Sequence, residues 1–231
     1  MCIRDRLYND EIIIDDFASA TAIRKMIATG QFEEIQKVMP KSSYALLADE
    51  LRRGHYVLDL SKFQKEIIYN LRKMKVGDIA QLADVSEGLE NAIKNAANSC
   101  NNVVDFVNIV KCKRYTQTRI QRILIYALLG ITSEKMMTSK KTTPYARILG
   151  FNEKGKKLIS QIVKHNKRAQ IVTSVKKYMD ESKNKALKEM LETDIFATNV
   201  YTLGYESDSW SNLDSVSYTH LRAHETVLDL V

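Results

Sequence analysis

The chain has 231 residues, with 35 Lys and Arg against 28 Asp and Glu, giving a net charge of +7, and only eight glycines and two prolines. That length suits one or two domains with a real core. The longest apolar run, residues 123–131, falls far short of the ~20 residues a spanning helix needs, and no His or Cys spacing suggests a metal site.

The first six residues can be encoded by one short DNA word, ATG TGT ATA AGA GAC AG plus one base. The opposite strand of that word, read from its third base, encodes residues 216–220. The word resembles the transposon end of tagmentation libraries, and residues 221–226 resemble the adapter beyond it. Residues 1–6 and 216–231 are therefore expected to be adapter-derived and are set aside. The flanks carry three bases (Arg4, Arg6, Arg222) and three acids (Asp5, Glu225, Asp229), so the charge balance survives. Cys100 and Cys112 remain and read as reduced cytosolic thiols, which predicts a cytoplasmic protein.

Between the ends, helix formers recur with 3.6-residue periodicity. Residues 7–14 are β-branched and predict a strand end. Helices follow over 19–28, with Ser19 or Thr21 to cap, over 31–39 up to Pro40, and over 43–53, stopped by Gly54. A fourth helix is predicted from Asp59 to Met74, then shorter ones at 79–83, 88–97 and 103–110. The strongest spans 115–129. Residues 142–151 read as a loop and short strand, 153–164 as a helix, 169–174 as a strand and 183–203 as a long closing helix. The expected fold is mainly α, with minor β at the N-terminal edge and near residue 145.

Charge is concentrated. Between Phe106 and Asn152 stand Lys111, Lys113, Arg114, Arg119, Arg122, Lys135, Lys140, Lys141 and Arg147, against one acid, Glu134. Such a window suits a polyanion, because phosphate contacts supply most nucleic-acid affinity. On a helical wheel Lys111, Arg114, Tyr115, Thr118 and Arg122 share one face, while Ile120, Ile123, Leu124, Ala127 and Ile131 take the opposite one. Tyr115 offers a ring to an unpaired base and Thr118 a hydroxyl to phosphate. An ordinary solvated basic face has the same pattern. Earlier in the chain, Ser19, Thr21 and Arg24 stand at a helix start, where unpaired N–H groups and partial positive charge suit phosphate. A simply capped helix with an exposed arginine fits equally.

Together these segments resemble a known family. Ser-Ala-Thr-Ala-Ile-Arg-Lys at 19–25 resembles the second phosphate motif of HIGH-type nucleotidyltransferases, usually Ile-Ser-Ser-Thr-x-Ile-Arg. Four longer segments resemble one branch, the bacterial tRNA(Met) cytidine acetate ligases. They are Glu-Gly-Leu-Glu-Asn at 87–91, Lys-Arg-Tyr-Thr-Gln-Thr-Arg-Ile-Gln-Arg at 113–122, Pro-Tyr-Ala-Arg-Ile-Leu-Gly-Phe at 144–151 and Asp-Ile-Phe-Ala-Thr-Asn-Val-Tyr at 194–201.

The resemblance implies an enzyme that uses ATP to turn acetate into acetyl-adenylate, then acetylates N4 of the wobble cytidine of elongator tRNA(Met). It implies that Ser19, Thr21 and Arg24 contact ATP, and that Lys111, Lys113, Arg114, Tyr115, Thr118, Arg119 and Arg122 contact tRNA. Residues 7–30 would be the tail of a Rossmann-like domain and 31–215 a helical tRNA-binding domain. The family's Asn-Pro-x-His-x-Gly-His motif is missing from the sequence, and His55 and His165 stand alone. No residue is therefore assigned a catalytic role, and the chain is expected to be the RNA-gripping fragment of a parent enzyme, inactive alone. A stand-alone helical nucleic-acid-binding module and a nucleotidyltransferase acting on a small molecule remain as alternatives.

Overall fold

The computed structural model describes residues 18–86, 88–148, 150–165 and 170–207. The strand expected over 7–14 and both end segments lie outside the described residues. The chain divides into two compact units, residues 18–62 with 204–207, and residues 63–203. The break expected at residue 30 falls inside the first unit.

In the first unit, α1 (Ala20–Ala28) begins where the Ser19 hydroxyl accepts the Ala22 amide at 3.1 Å. This satisfies one of the unpaired donors of a helix start. Two further helices follow, α2 (Phe32–Lys37) and α3 (Lys41–Arg53). Ala22, Met26, Ile35 and Val38 are buried together, with Ile23, Ile27, Tyr44 and Leu47 against them. Gly54 ends α3 at φ +74°, and a Cβ there would stand 3.0 Å from the Ser207 amide nitrogen. The Gly54 carbonyl accepts the Glu206 amide at 2.9 Å. Glu206 also pairs with Lys62, and Tyr205 stacks on His55 with ring centroids 5.2 Å apart.

The second unit follows a 3-10 turn, Leu60–Phe63. Its core is built from α4 (Gln64–Lys73), α5 (Val76–Ala80), α6 (Leu89–Ser99), α7 (Val103–Val110) and α8 (Gln117–Leu129). Ile67, Leu71, Ile93, Phe106, Ile120, Ile123 and Leu124 are buried in these helices, at the apolar positions of their 3.6-residue period. Beyond them come α9 (Ser133–Lys141), β1 (Tyr145–Arg147), α10 (Glu153–His165), β2 (Gln170–Val172), α11 (Val175–Glu181) and α12 (Lys185–Thr202). β1 and β2 pair in parallel, Ala146 opposite Ile171. Val172, Val175 and Leu191 form a second core under this pair. The fold is thus mainly helical with a strand at residue 145, as expected. The helix expected from residue 115 starts two residues later, and α9 and α11 were not anticipated.

Helices α4 and α6 cap each other. Arg72 of α4 donates from Nε to the Ala97 carbonyl (2.7 Å) and from Nη2 to that of Cys100 (3.0 Å). Lys94 of α6 donates from Nζ to the carbonyls of Arg72 (2.6 Å), Met74 (2.6 Å) and Leu71 (3.1 Å). The last carbonyls of a helix lack intrahelical partners and carry partial negative charge, so a cation there is favoured. Lys94→Met keeps the aliphatic stem and removes all three bonds. A loss of about 1.5–3 kcal/mol is expected, read as a lower urea midpoint at unchanged slope.

Candidate functional site

The basic segment is not one continuous helix. α7 ends because Lys111 turns extended, at φ −63° and ψ 130°. Cys112 and Tyr115 then exchange backbone hydrogen bonds of 3.2 and 3.1 Å, closing a tight turn. Thr116 is extended again, and α8 begins at Gln117. Lys111, Lys113 and Arg114 therefore project from a loop, all exposed, and the helical wheel that placed Lys111, Arg114 and Tyr115 on the face of Thr118 and Arg122 does not apply to them. None of the three cations has an ion pair among the described residues.

Tyr115 is half-buried under two guanidinium groups, Arg114 at 5.4 Å and Arg119 at 5.2 Å from the ring centre. These are cation–π distances. The phenol ring thus offers a ligand a ring–guanidinium stack rather than a bare face. Thr118 is exposed, with its hydroxyl 3.3 Å from that of Thr116.

Arg119 and Arg122 do something the sequence did not announce. Both hold the turn at Asp84, the one described non-glycine residue at positive φ (+62°). Arg119 donates from Nη2 and Nε to the Asp84 carbonyl (2.8 and 3.1 Å) and from Nη2 to the Ser86 hydroxyl (3.2 Å). Arg122 pairs with the Asp84 carboxylate, Nε and Nη2 each 3.0 Å from Oδ2. The turn is tied from its other side by the Ala83 amide to the Ile131 carbonyl (3.1 Å) and the Ser133 amide to that of Gln81 (2.8 Å). The segment at 113–122 is thereby tied to the turn at 84–86, although only an Asp residue's tolerance of positive φ hinted at it.

The two arginines should separate in a stability assay. Arg122→Ala removes a solvent-exposed pair worth about 0–1 kcal/mol. Arg119→Ala leaves a strained carbonyl without its charged donors, and about 1.5 kcal/mol is expected. Equal melting temperatures for the two variants would contradict this division.

Ser19, Thr21 and Arg24 lie in the first unit, at the start of α1. Ser19 is occupied as the cap, Thr21 is half-buried and Arg24 is exposed.

The segments at 144–151 and 194–201 meet elsewhere in the second unit. The Tyr145 hydroxyl on β1 donates to the Asp194 carboxylate on α12. Beside this bond, residues of α9, β1 and α12 enclose a largely apolar cavity of about 390 Å³.

Both histidines are locally engaged, His55 with Glu50 at 3.1 Å and His165 with the Gln161 carbonyl at 2.9 Å. Among the described residues no group of three or more His, Cys, Asp or Glu could hold a metal ion, and no helix is long and apolar enough to cross a membrane. Cys100 is buried and donates to the Ala96 carbonyl at 3.1 Å, whereas Cys112 is exposed on the basic loop. Burial pushes the Cys100 thiol above its usual range.

The chain is 38% identical over 211 residues to the tRNA(Met) cytidine acetate ligase of Thermoanaerobacter pseudethanolicus, covering 91% of this chain and 51% of the relative. The ligase of Acetivibrio thermocellus is 39% identical over 211 residues, covering 88% and 50%. The fold matches that of Thermotoga maritima TmcAL bound with alpha-thio ATP at a TM-score of 0.80 and 27% identity, over 88% of this chain and 51% of that one. Apo TmcAL gives 0.80 and 26%, over 96% and 52%. The chain thus spans about half the length of the curated relatives it matches. Residues 4–214 match the family described as HIGH Nucleotidyl Transferase, and the chain belongs to that family.

Proposed function

We propose that this chain is the RNA-gripping part of an ATP-dependent ligase that acetylates N4 of the wobble cytidine of elongator tRNA(Met). Acetate alone is a poor acyl donor. Joined to AMP as a mixed anhydride, with pyrophosphate released, it presents a carbonyl that an amine can attack while AMP departs. In this division of labour Ser19, Thr21 and Arg24 belong to the tail of the nucleotide-binding domain and help hold ATP phosphates. Lys111, Lys113, Arg114, Tyr115, Thr118, Arg119 and Arg122 face tRNA, and the helical part of the chain serves as its dock. Lacking a His-x-Gly-His motif, the chain by itself does not activate acetate.

The observation that carries the tRNA role is the exposed loop of Lys111, Lys113 and Arg114, set beside a ring–guanidinium stack in a chain similar to enzymes named for tRNA(Met). Phosphate-led binding predicts an affinity that falls linearly with salt on a log–log scale. The exposed Cys112 supplies a footprint within the same loop. A maleimide is expected to label Cys112 rapidly and Cys100 only on unfolding, and tRNA is expected to protect Cys112. Unchanged labelling under saturating tRNA would place the RNA elsewhere.

A further inference from the structure

The proposed function uses the segments at 113–122 and 19–25, and of the three it leaves without a task, two meet in the structure. These are the segments at 144–151 and 194–201, and the structure joins them at one place, the bond from the Tyr145 hydroxyl to the Asp194 carboxylate. We propose that the cavity beside this bond receives one unstacked, amino-bearing nucleobase of the bound RNA. The proposal rests on the RNA-binding reading above.

Size and lining carry it. A volume of about 390 Å³ lies within the ~300–1,000 Å³ range of small-ligand sites. Its floor is Ile131, Met136 and Met190, half-buried side chains that no other part of the second unit covers fully. Methionine sulfur is polarizable and makes favourable contacts with aromatic rings, so two methionines and the Tyr145 ring form a bed for a flat heterocycle. A bare apolar groove would end the matter there, but this one also carries two carboxylates, Glu189 and Asp194, and one cation, Lys135.

Asp194 is one of these carboxylates, on the rim. Tyr145 engages one of its oxygens, and a carboxylate has a second to offer. Carboxylates accept hydrogen bonds, and an exocyclic amino group such as cytosine N4–H₂ is a donor that matches. Uracil presents a carbonyl at the same position and is repelled. On the same rim Lys135 supplies a cation for the nucleotide's phosphate. It belongs to the acid-poor window from Phe106 to Asn152. Sequence-specific RNA recognition works largely by splaying single-stranded bases into such places, so cavity and basic loop would read two parts of one ligand.

Methyl-labelled methionine gives a direct test on the full chain. Titration with cytidine monophosphate is expected to shift the Met136 and Met190 methyl signals, leaving Met26 in the first unit unmoved. Uridine monophosphate is expected to bind about tenfold more weakly. Asp194→Asn should reduce cytidine monophosphate to the uridine level while melting as wild type does. Met190→Trp, which fills the cavity, should weaken tRNA binding but not heparin binding, since heparin needs only the cations. Cytidine monophosphate that shifts neither methyl, or binds no better than uridine monophosphate, overturns the cavity assignment even if tRNA binds. Failure of tRNA to bind while the nucleotide shifts persist overturns the RNA reading and leaves the cavity a nucleotide site.

Discussion

Replacing Lys113 and Arg114 together by alanine is expected to weaken tRNA binding about ten- to a hundredfold at low salt and to reduce the salt slope by about two. Both side chains are exposed on the loop between α7 and α8, and neither has an ion pair among the described residues. No described carboxylate therefore competes with phosphate for their charge. The turn that presents them is closed by the backbone bonds between Cys112 and Tyr115, which the substitution leaves in place. Losing Arg114 also strips one guanidinium from the Tyr115 ring, a contact worth about 0.5–1 kcal/mol at an exposed site. The melting temperature should therefore move little. A double variant that keeps the wild-type salt slope would remove the loop from the RNA interface.

The opposite pattern is expected for Leu124→Ala. Leu124 has no exposed surface and lies on the inner face of α8 with Ile120 and Ile123. Deleting a buried isobutyl group sacrifices its transfer energy and leaves a cavity that rigid neighbours only partly fill, at a cost of about 2–5 kcal/mol. Against a typical total of about 5–15 kcal/mol, that is a large share. Urea unfolding reads it directly, while tRNA affinity of the folded fraction should stay near wild type. A loss below about 1 kcal/mol would mean that the core around α4, α7 and α8 collapses readily onto the vacancy.

Most helices were legible because their apolar positions repeat every 3.6 residues and their ends carry recognisable residues. Gly54 stops α3 as expected, and Val103–Val110 is the helix its pattern predicts. Two missed helices carried a start signal of another kind. The Thr132 hydroxyl accepts the Lys135 amide at the head of α9, and the Ser174 hydroxyl accepts that of Lys177 at the head of α11. With little apolar periodicity behind them, those caps do not by themselves predict a helix.

The basic segment shows a deeper limit. Periodicity assumes that the helix continues, and the wheel carried Lys111 and Arg114 onto the face of Arg122 across a turn that is not helical. What Arg119 and Arg122 hold was beyond local reading altogether. Asp84 lies 35 and 38 positions away from them, and its partnership follows from where the fold brings the loop between α5 and α6 against α8, not from any pattern along the chain.

The return of residues 204–207 to Gly54 and His55 has a consequence for synthesis. Domains emerging from the ribosome ordinarily fold in the order in which they are made. Here the first unit lacks its strap until the second has been made. Its opening helices leave the tunnel early, but the strap formed by Gly204, Tyr205 and Glu206 follows the whole of the second unit. The glycine at 54, held at positive φ where a Cβ would press within 3.0 Å of Ser207, is thus a berth kept open for a segment translated some 150 residues later. A chain cut just before residue 204 would keep every element of the second unit and lack only the strap of the first.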